Sequence, residues 1–135
     1  PVEIEGREYV DGGIACAVPL FEDIPCESDR LVLVLTRHKG YRKKPVPETV
    51  QRIYRRHFRN APGLVDRLVT APQRYNERMD KIDALEEEGK AFVIRPRKPV
   101  TVSRIEKDVE KLSALYHEGR RDAEFAYQDL LAFLG

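Results

Sequence analysis

The run Leu31-Val-Leu-Val-Leu35, set between Arg30 and Thr36, is the strictest constraint in the sequence. Five consecutive apolar residues rich in β-branched side chains have the length of a strand rather than of a helix. No polar residue alternates with them, so neither face suits water. That pattern belongs to a strand buried on both faces of a parallel sheet. Ala91-Phe-Val-Ile-Arg95, stopped by Pro96, reads as a second short buried strand, and Val2 to Val10 contains a third strand candidate. Three strands cannot be covered on both faces by the helices of this chain alone unless more strands pair alongside them. The expectation is therefore an α/β fold that is one part of a larger sheet.

Helical periodicity dominates from Pro47 onward. Val50, Ile53, Tyr54, His57 and Phe58 share one face at 3.6-residue spacing. Pro62 opens a short helix carrying Leu64, Val65, Leu68 and Val69, and Pro72 is expected to restart it. Tyr75, Met79, Ile82 and Leu85 continue the stripe to Gly89, which suits the C′ position. Ser103-Arg-Ile-Glu106 matches a capping box, in which the hydroxyl and the carboxylate each accept one unpaired amide proton. The helix it predicts runs through Val102, Ile105, Val109, Leu112 and Tyr116 to Gly119. A last helix buries Ala123, Ala126, Tyr127, Leu130, Leu131 and Leu134.

At 135 residues the chain is about one domain long. Its 41% hydrophobic content, set in periodic blocks, supports a core despite 35% charged residues. No apolar run approaches the roughly 20 residues of a membrane-spanning helix. A targeting signal is expected upstream of Pro1, if the protein has one. Cys16 and Cys26 are too few for a disulfide scaffold and lie in no metal-binding spacing. Two free thiols fit a reducing cytoplasm. Net charge is only +1, but residues 1–29 carry eight acids and one base, whereas residues 30–60 carry ten bases and one acid. The basic segment, with Arg37, Lys39, Arg42, Lys43 and Lys44 in its loop and Arg52, Arg55, Arg56 and Arg59 beyond, suits an anionic lipid surface or a solvated face balanced by the acidic N-terminal stretch. Aromatic residues that would stack on bases are few among these cations, which argues against nucleic acid.

A nucleophilic hydrolase needs a nucleophile, a base and oxyanion donors. Ser28, Ser103 and Ser113 lie in no G-x-S-x-G elbow, and no glycine-rich phosphate loop is present. Asp11 is the residue to follow. It ends a strand and enters the double-glycine turn Gly12-Gly13, at the sheet edge where α/β proteins bind ligands. An ordinary Asp-Gly turn remains the competing reading. The histidines His38, His57 and His117 suit solvated or structural roles, and Cys16 suits a small buried filler better than a nucleophile.

Tyr9-Val10-Asp11-Gly12-Gly13-Ile14, with Pro19 and the strand ending Leu33-Val34-Leu35-Thr36-Arg37, resembles the Asp-Gly-Gly block of patatin-like phospholipases. Lys39-Gly40-Tyr41-Arg42-Lys43-Lys44-Pro45, Arg74-Tyr75-Asn76 and Phe92-Val93-Ile94-Arg95-Pro96 are similar to a bacterial branch of predicted patatin-like esterases. The resemblance implies part of a three-layer α/β/α sandwich, related to the α/β hydrolases, with a helical C-terminal region. Residues 1–100 would be the C-terminal part of the α/β domain and residues 101–135 a helical extension. It also implies a Ser–Asp dyad with Asp11 as general base on the active-site turn Gly12-Gly13, no metal or cofactor, and an acyl lipid or other carboxylic ester as substrate. The serine elbow and the glycine-rich oxyanion loop would lie upstream, in a missing N-terminal half of the same protein. This chain alone would then be inactive. Between Gly13 and Arg30 the sequence departs from the family pattern, with two prolines and two cysteines where a longer amphipathic helix is expected. The rival class is a non-enzymatic basic module on an anionic membrane or nucleic acid; the setting in either case is cytoplasmic or peripheral to a membrane.

Overall fold

The computed structural model describes residues 2–25, 27–103 and 105–135. Its strands are β1 (Val2–Ile4), β2 (Arg7–Tyr9), β3 (Leu31–Val34) and β4 (Ala91–Ile94), and its helices are α1 (Glu48–His57), α2 (Pro62–Glu87) and α3 (Val109–Leu134). Two 3₁₀ turns, Gly12–Ile14 and Phe21–Asp23, lie between β2 and β3. The α/β class holds. The chain divides into two compact units, one of Pro1–Glu27 with Arg42–Asp83 and one of Ser28–Tyr41 with Ala84–Gly135.

In the first unit, β1 and β2 form an antiparallel hairpin with Val2 opposite Tyr9 and Ile4 opposite Arg7. Glu5 (φ 50°) and Gly6 (φ 74°) make its two-residue turn. Two successive left-handed residues give a turn whose twist matches that of the strands it joins. The single strand expected over Val2–Val10 is thus a folded-back pair. Leu20, Val65, Met79 and Ile82 form the buried core of this unit, with Ile82 fully inaccessible. Val65, Met79 and Ile82 lie on α2 as the apolar stripe requires.

Pro72 lies inside α2 and does not restart it. A proline there forfeits one backbone hydrogen bond and crowds the preceding turn. The helix nonetheless runs 26 residues, because its apolar face is buried on both sides of that position. Gly89 (φ 70°) follows its end, and the Lys90 amide donates back to the Leu85 carbonyl at 2.9 Å. That is the expected glycine termination.

In the second unit β3 and β4 pair in parallel, Leu31 opposite Ala91 and Val34 opposite Ile94. Burial on β3 alternates: Leu31 and Leu33 are buried, while Val32 and Val34 are 42% and 73% exposed. One face of the expected two-face strand is therefore open. α3 packs along β4, with the Phe133 ring 5.6 Å from Phe92, and the Arg30 guanidinium lies over Phe133 and donates to its carbonyl.

The start of α3 differs from expectation. Its N-cap is Asp108, whose carboxylate accepts from the Glu110 and Lys111 amides at 3.0 and 3.3 Å. Ser103 Oγ accepts from the Ile105 amide, and Glu106 accepts from Lys107 and Asp108, so these two residues shape the approach to the helix without forming its box. Arg104, inside the expected box, lies outside the described residues. Gly119 does not end the helix. An interior glycine costs only about 1 kcal/mol relative to alanine, too little to split a helix with half-buried residues on both sides of it.

Candidate functional site

Asp11 follows β2 and Val10 directly and caps the 3₁₀ turn Gly12–Ile14. Its Oδ1 accepts from the Gly13 amide at 2.6 Å. A Cβ at position 13 would stand 2.9 Å from that oxygen, so glycine is required by close approach. Gly12 has no such neighbour, and neither glycine has the positive φ that a double-glycine turn suggests. The carboxylate is exposed and, among the described residues, has no cationic partner. Beside it opens a groove of about 530 Å³ lined by Val2, Tyr9, Val10, Ile14, Phe58, Leu64 and Leu68. The site is thus an exposed carboxylate at the rim of an otherwise apolar groove.

Arg74 holds the segment after Asp11 in place. Its guanidinium donates to the carbonyls of Ile14 (2.9 Å), Ala15 (3.0 Å) and Arg67 (2.9 Å), which ties the turn to α2. Its neighbour Asn76 clamps the chain at Lys43 from both sides, accepting from the Lys43 amide at 2.8 Å and donating to its carbonyl at 3.0 Å. The Lys43 ammonium lies 4.1 Å from the centre of the Tyr75 ring. Arg74-Tyr75-Asn76 thus works as a unit that fixes two loops on one helix. In the sequence these residues stand out through the family resemblance, with Tyr75 also on the apolar stripe of the helix. Their role was legible in one respect, since polar side chains on the buried side of a helix need partners.

A second cavity of about 370 Å³ is lined by Cys16, Arg67, Arg74 and Arg78 among others. Arg78 pairs with Asp23 at 2.8 Å and Glu22 at 3.1 Å, Lys81 reaches Glu22 at 3.3 Å, and Cys16 Sγ stands 3.8 Å from Arg78. The Asp23 carboxyl is held below its ordinary range by the Leu20 amide that donates to it, assisted by Arg78. Glu22 is lowered in the same sense by a backbone hydrogen bond and by Lys81. Cys16 is free and half-buried, with Arg78 and the Asp23 carboxylate as polar neighbours. Cys26 lies outside the described residues.

Part of the basic loop is engaged within each unit. Arg37 stacks on Tyr41 at 5.1 Å and Lys39 pairs with Glu86 at 2.9 Å. Arg42 bridges Asp80 (2.5 Å) and Asp83 (3.2 Å), and hydrogen bonding to Asp80 raises its already high pKa. Lys44 is exposed. The segment's charge excess therefore overstates what is available to an anionic surface.

Ser28 Oγ donates to the Arg30 carbonyl at 2.7 Å, and Ser103 is engaged as described. His38 Nδ1 is buried with no partner atom, and the His38 ring packs edge-on to Tyr41. His57 and His117 pack edge-on to Phe58 and Tyr116. Among the described residues no three His, Cys, Asp or Glu side chains are grouped to hold a metal ion, and no helix is long and apolar enough to cross a membrane.

No curated protein and no solved structure matches the chain. Residues 61–135, which hold α2, β4 and α3, match a family model described as a domain of unknown function (DUF6363). That span is more than half of the chain, and the chain belongs to this family.

Proposed function

We propose that this chain is the base-supplying portion of a patatin-like serine acyl hydrolase, with Asp11 as general base of a Ser–Asp dyad and an acyl lipid or other carboxylic ester as substrate. On this reading Asp11 removes the proton from a serine hydroxyl as the oxygen attacks the ester carbonyl. The serine and the oxyanion donors come from a polypeptide segment outside these 135 residues. β3 and β4 then belong to a larger three-layer α/β/α sandwich. The open face at Val32 and Val34 supports this, because two strands with one uncovered apolar face are a marginal sheet.

The observation that carries the reading is the placement of Asp11. Its Oδ1 is fixed by the Gly13 amide, its charge is unneutralised among the described residues, and an apolar groove suited to an acyl chain opens beside it. The anionic-surface alternative is weakened, since Lys39 and Arg42 pair with carboxylates inside their own units.

Asp11→Asn in the whole polypeptide as the cell makes it should lower turnover of a p-nitrophenyl ester by about 10²–10⁴. Asparagine retains an oxygen for the Gly13 amide but cannot take the serine proton. Circular dichroism and melting temperature accompany the kinetics. Near-normal turnover in a well-folded variant would sink the assignment.

A further inference from the structure

α3 carries two faces. One packs within its own unit and holds Leu115, Asp122, Ala126, Leu130 and Phe133, all half-buried. The other runs the whole helix through Val109, Leu112, Tyr116, Arg120, Ala123, Tyr127, Leu131 and Leu134, every one exposed. The large apolar members of this second stripe are between 42% and 76% exposed. Its steps of three and four average about 3.6 residues, so the stripe stays on one side for some 38 Å of helix. An apolar strip of that length, interrupted at Arg120, marks an association surface.

The order of the stripe identifies the partner. Read from either end, the spacing is the same, three, four, four, three, four, four, three, with its centre between Arg121 and Asp122. The residue types mirror as well at three of the four pairs. Reversal sets Val109 against Leu134, Leu112 against Leu131, and Tyr116 against Tyr127. A stripe whose positions fall on themselves when reversed can bury its whole length against a second copy related by a two-fold axis.

The charged residue at the centre favours one direction. Arg120 donates to Glu124 in its own chain at 2.9 Å, and both side chains are exposed. Antiparallel pairing sets Arg120 opposite the small Ala123, with Glu124 of the second copy one residue further on, so two such pairs form a four-charge cluster about the axis. Parallel pairing would set Arg120 level with its own copy and move the second copy's Glu124 four residues, about 6 Å, away along the axis.

We propose that the exposed face of α3 is a homodimer interface, in which two copies of this chain pair their α3 helices antiparallel about a two-fold axis between Arg121 and Asp122. This interface is independent of the Asp11 reading and makes no use of that site.

The test uses the full chain with Cys16 and Cys26 replaced by serine. Sedimentation should show a dimer with a dissociation constant in the micromolar range, about 1 μM within tenfold. Tyr127→Glu should weaken it at least tenfold, with circular dichroism unchanged. A direct geometric readout comes from single-cysteine chains under mild oxidation. An equimolar mixture of Tyr116→Cys and Tyr127→Cys should form the mixed disulfide in preference to either self-disulfide, because antiparallel pairing sets like positions eleven residues, about 16 Å, apart along the axis. Self-crosslinking of Tyr116→Cys at the expense of the mixed species would overturn the antiparallel geometry. A chain that stays monomeric at about 100 μM, a hundredfold above that constant, would overturn the dimer and leave the face to a different partner.

Discussion

Gly13 decides where the Asp11 carboxylate points. Its amide holds Oδ1 at 2.6 Å, and an added Cβ would meet that oxygen at 2.9 Å, whereas a Cβ on Gly12 would meet nothing within 4 Å. Two adjacent glycines therefore have different work to do. Gly13→Ala should displace the carboxylate and weaken the cap by about 1 kcal/mol, and Gly12→Ala should change stability by less than about half of that. Paired urea melts of the two variants check this. Equal effects would show that the close approach is not what the double glycine serves. If the dyad reading holds, Gly13→Ala also lowers ester turnover while Gly12→Ala leaves it near normal.

At the scale of elements, helix boundaries were the feature least legible in the sequence. Ser103-Arg-Ile-Glu106 satisfies the capping pattern, yet α3 begins after Asp108. Both segments offer a short polar side chain ahead of an apolar run. Asp108 prevails because its carboxylate reaches two amides of the first turn, whereas Ser103 reaches one amide before the helix. Asp108→Ala should cost about 1 kcal/mol, and Ser103→Ala should stay within about 0.5 kcal/mol. The reverse ranking in thermal melts would return the helix start to Ser103. Pro72 and Gly119 teach the same lesson. Each breaks a helix in a local reading. Pro72 sits inside a helix whose buried stripe outweighs the local cost, and Gly119 inside one with half-buried residues on both sides of it.

The whole molecule has two small cores, Leu20, Val65, Met79 and Ile82 in one unit and Leu31, Leu33 and Ala91 in the other. With so few fully buried side chains, each one counts. Ile82→Ala, at the one wholly inaccessible position on α2, should cost about 2–5 kcal/mol, read as a drop in the urea midpoint. Ion pairs surround the first core. Glu22 and Asp23 have folded pKa values below their ordinary ones, so the stability they contribute is present above the unfolded carboxylate range and is lost as pH falls through the folded values. Melting temperature should fall from about pH 5 to about pH 3. Asp23→Asn should flatten that acid limb, and an unchanged slope would remove these pairs from the account.

Residue order alone determined the α/β class, the parallel-type strands at Leu31 and Ala91, the buried stripe of α2 with its Gly89 end, and Asp11 as the carboxylate to examine. Each is a property of periodicity or of a short segment, in which neighbours in sequence are neighbours in space. Tertiary structure decided the rest. The acidic residue before Gly6 became a hairpin turn only because Val2 to Ile4 had Arg7 to Tyr9 to pair with. The apolar face of β3 at Val32 and Val34 stayed open because β4 and α3 do not cover it. The basic loop lost much of its available charge because Asp80, Asp83 and Glu86, some forty residues away in sequence, stand within reach of it. Pairing across such separations depends on which surfaces meet, and a count of charges along the chain carries no record of that.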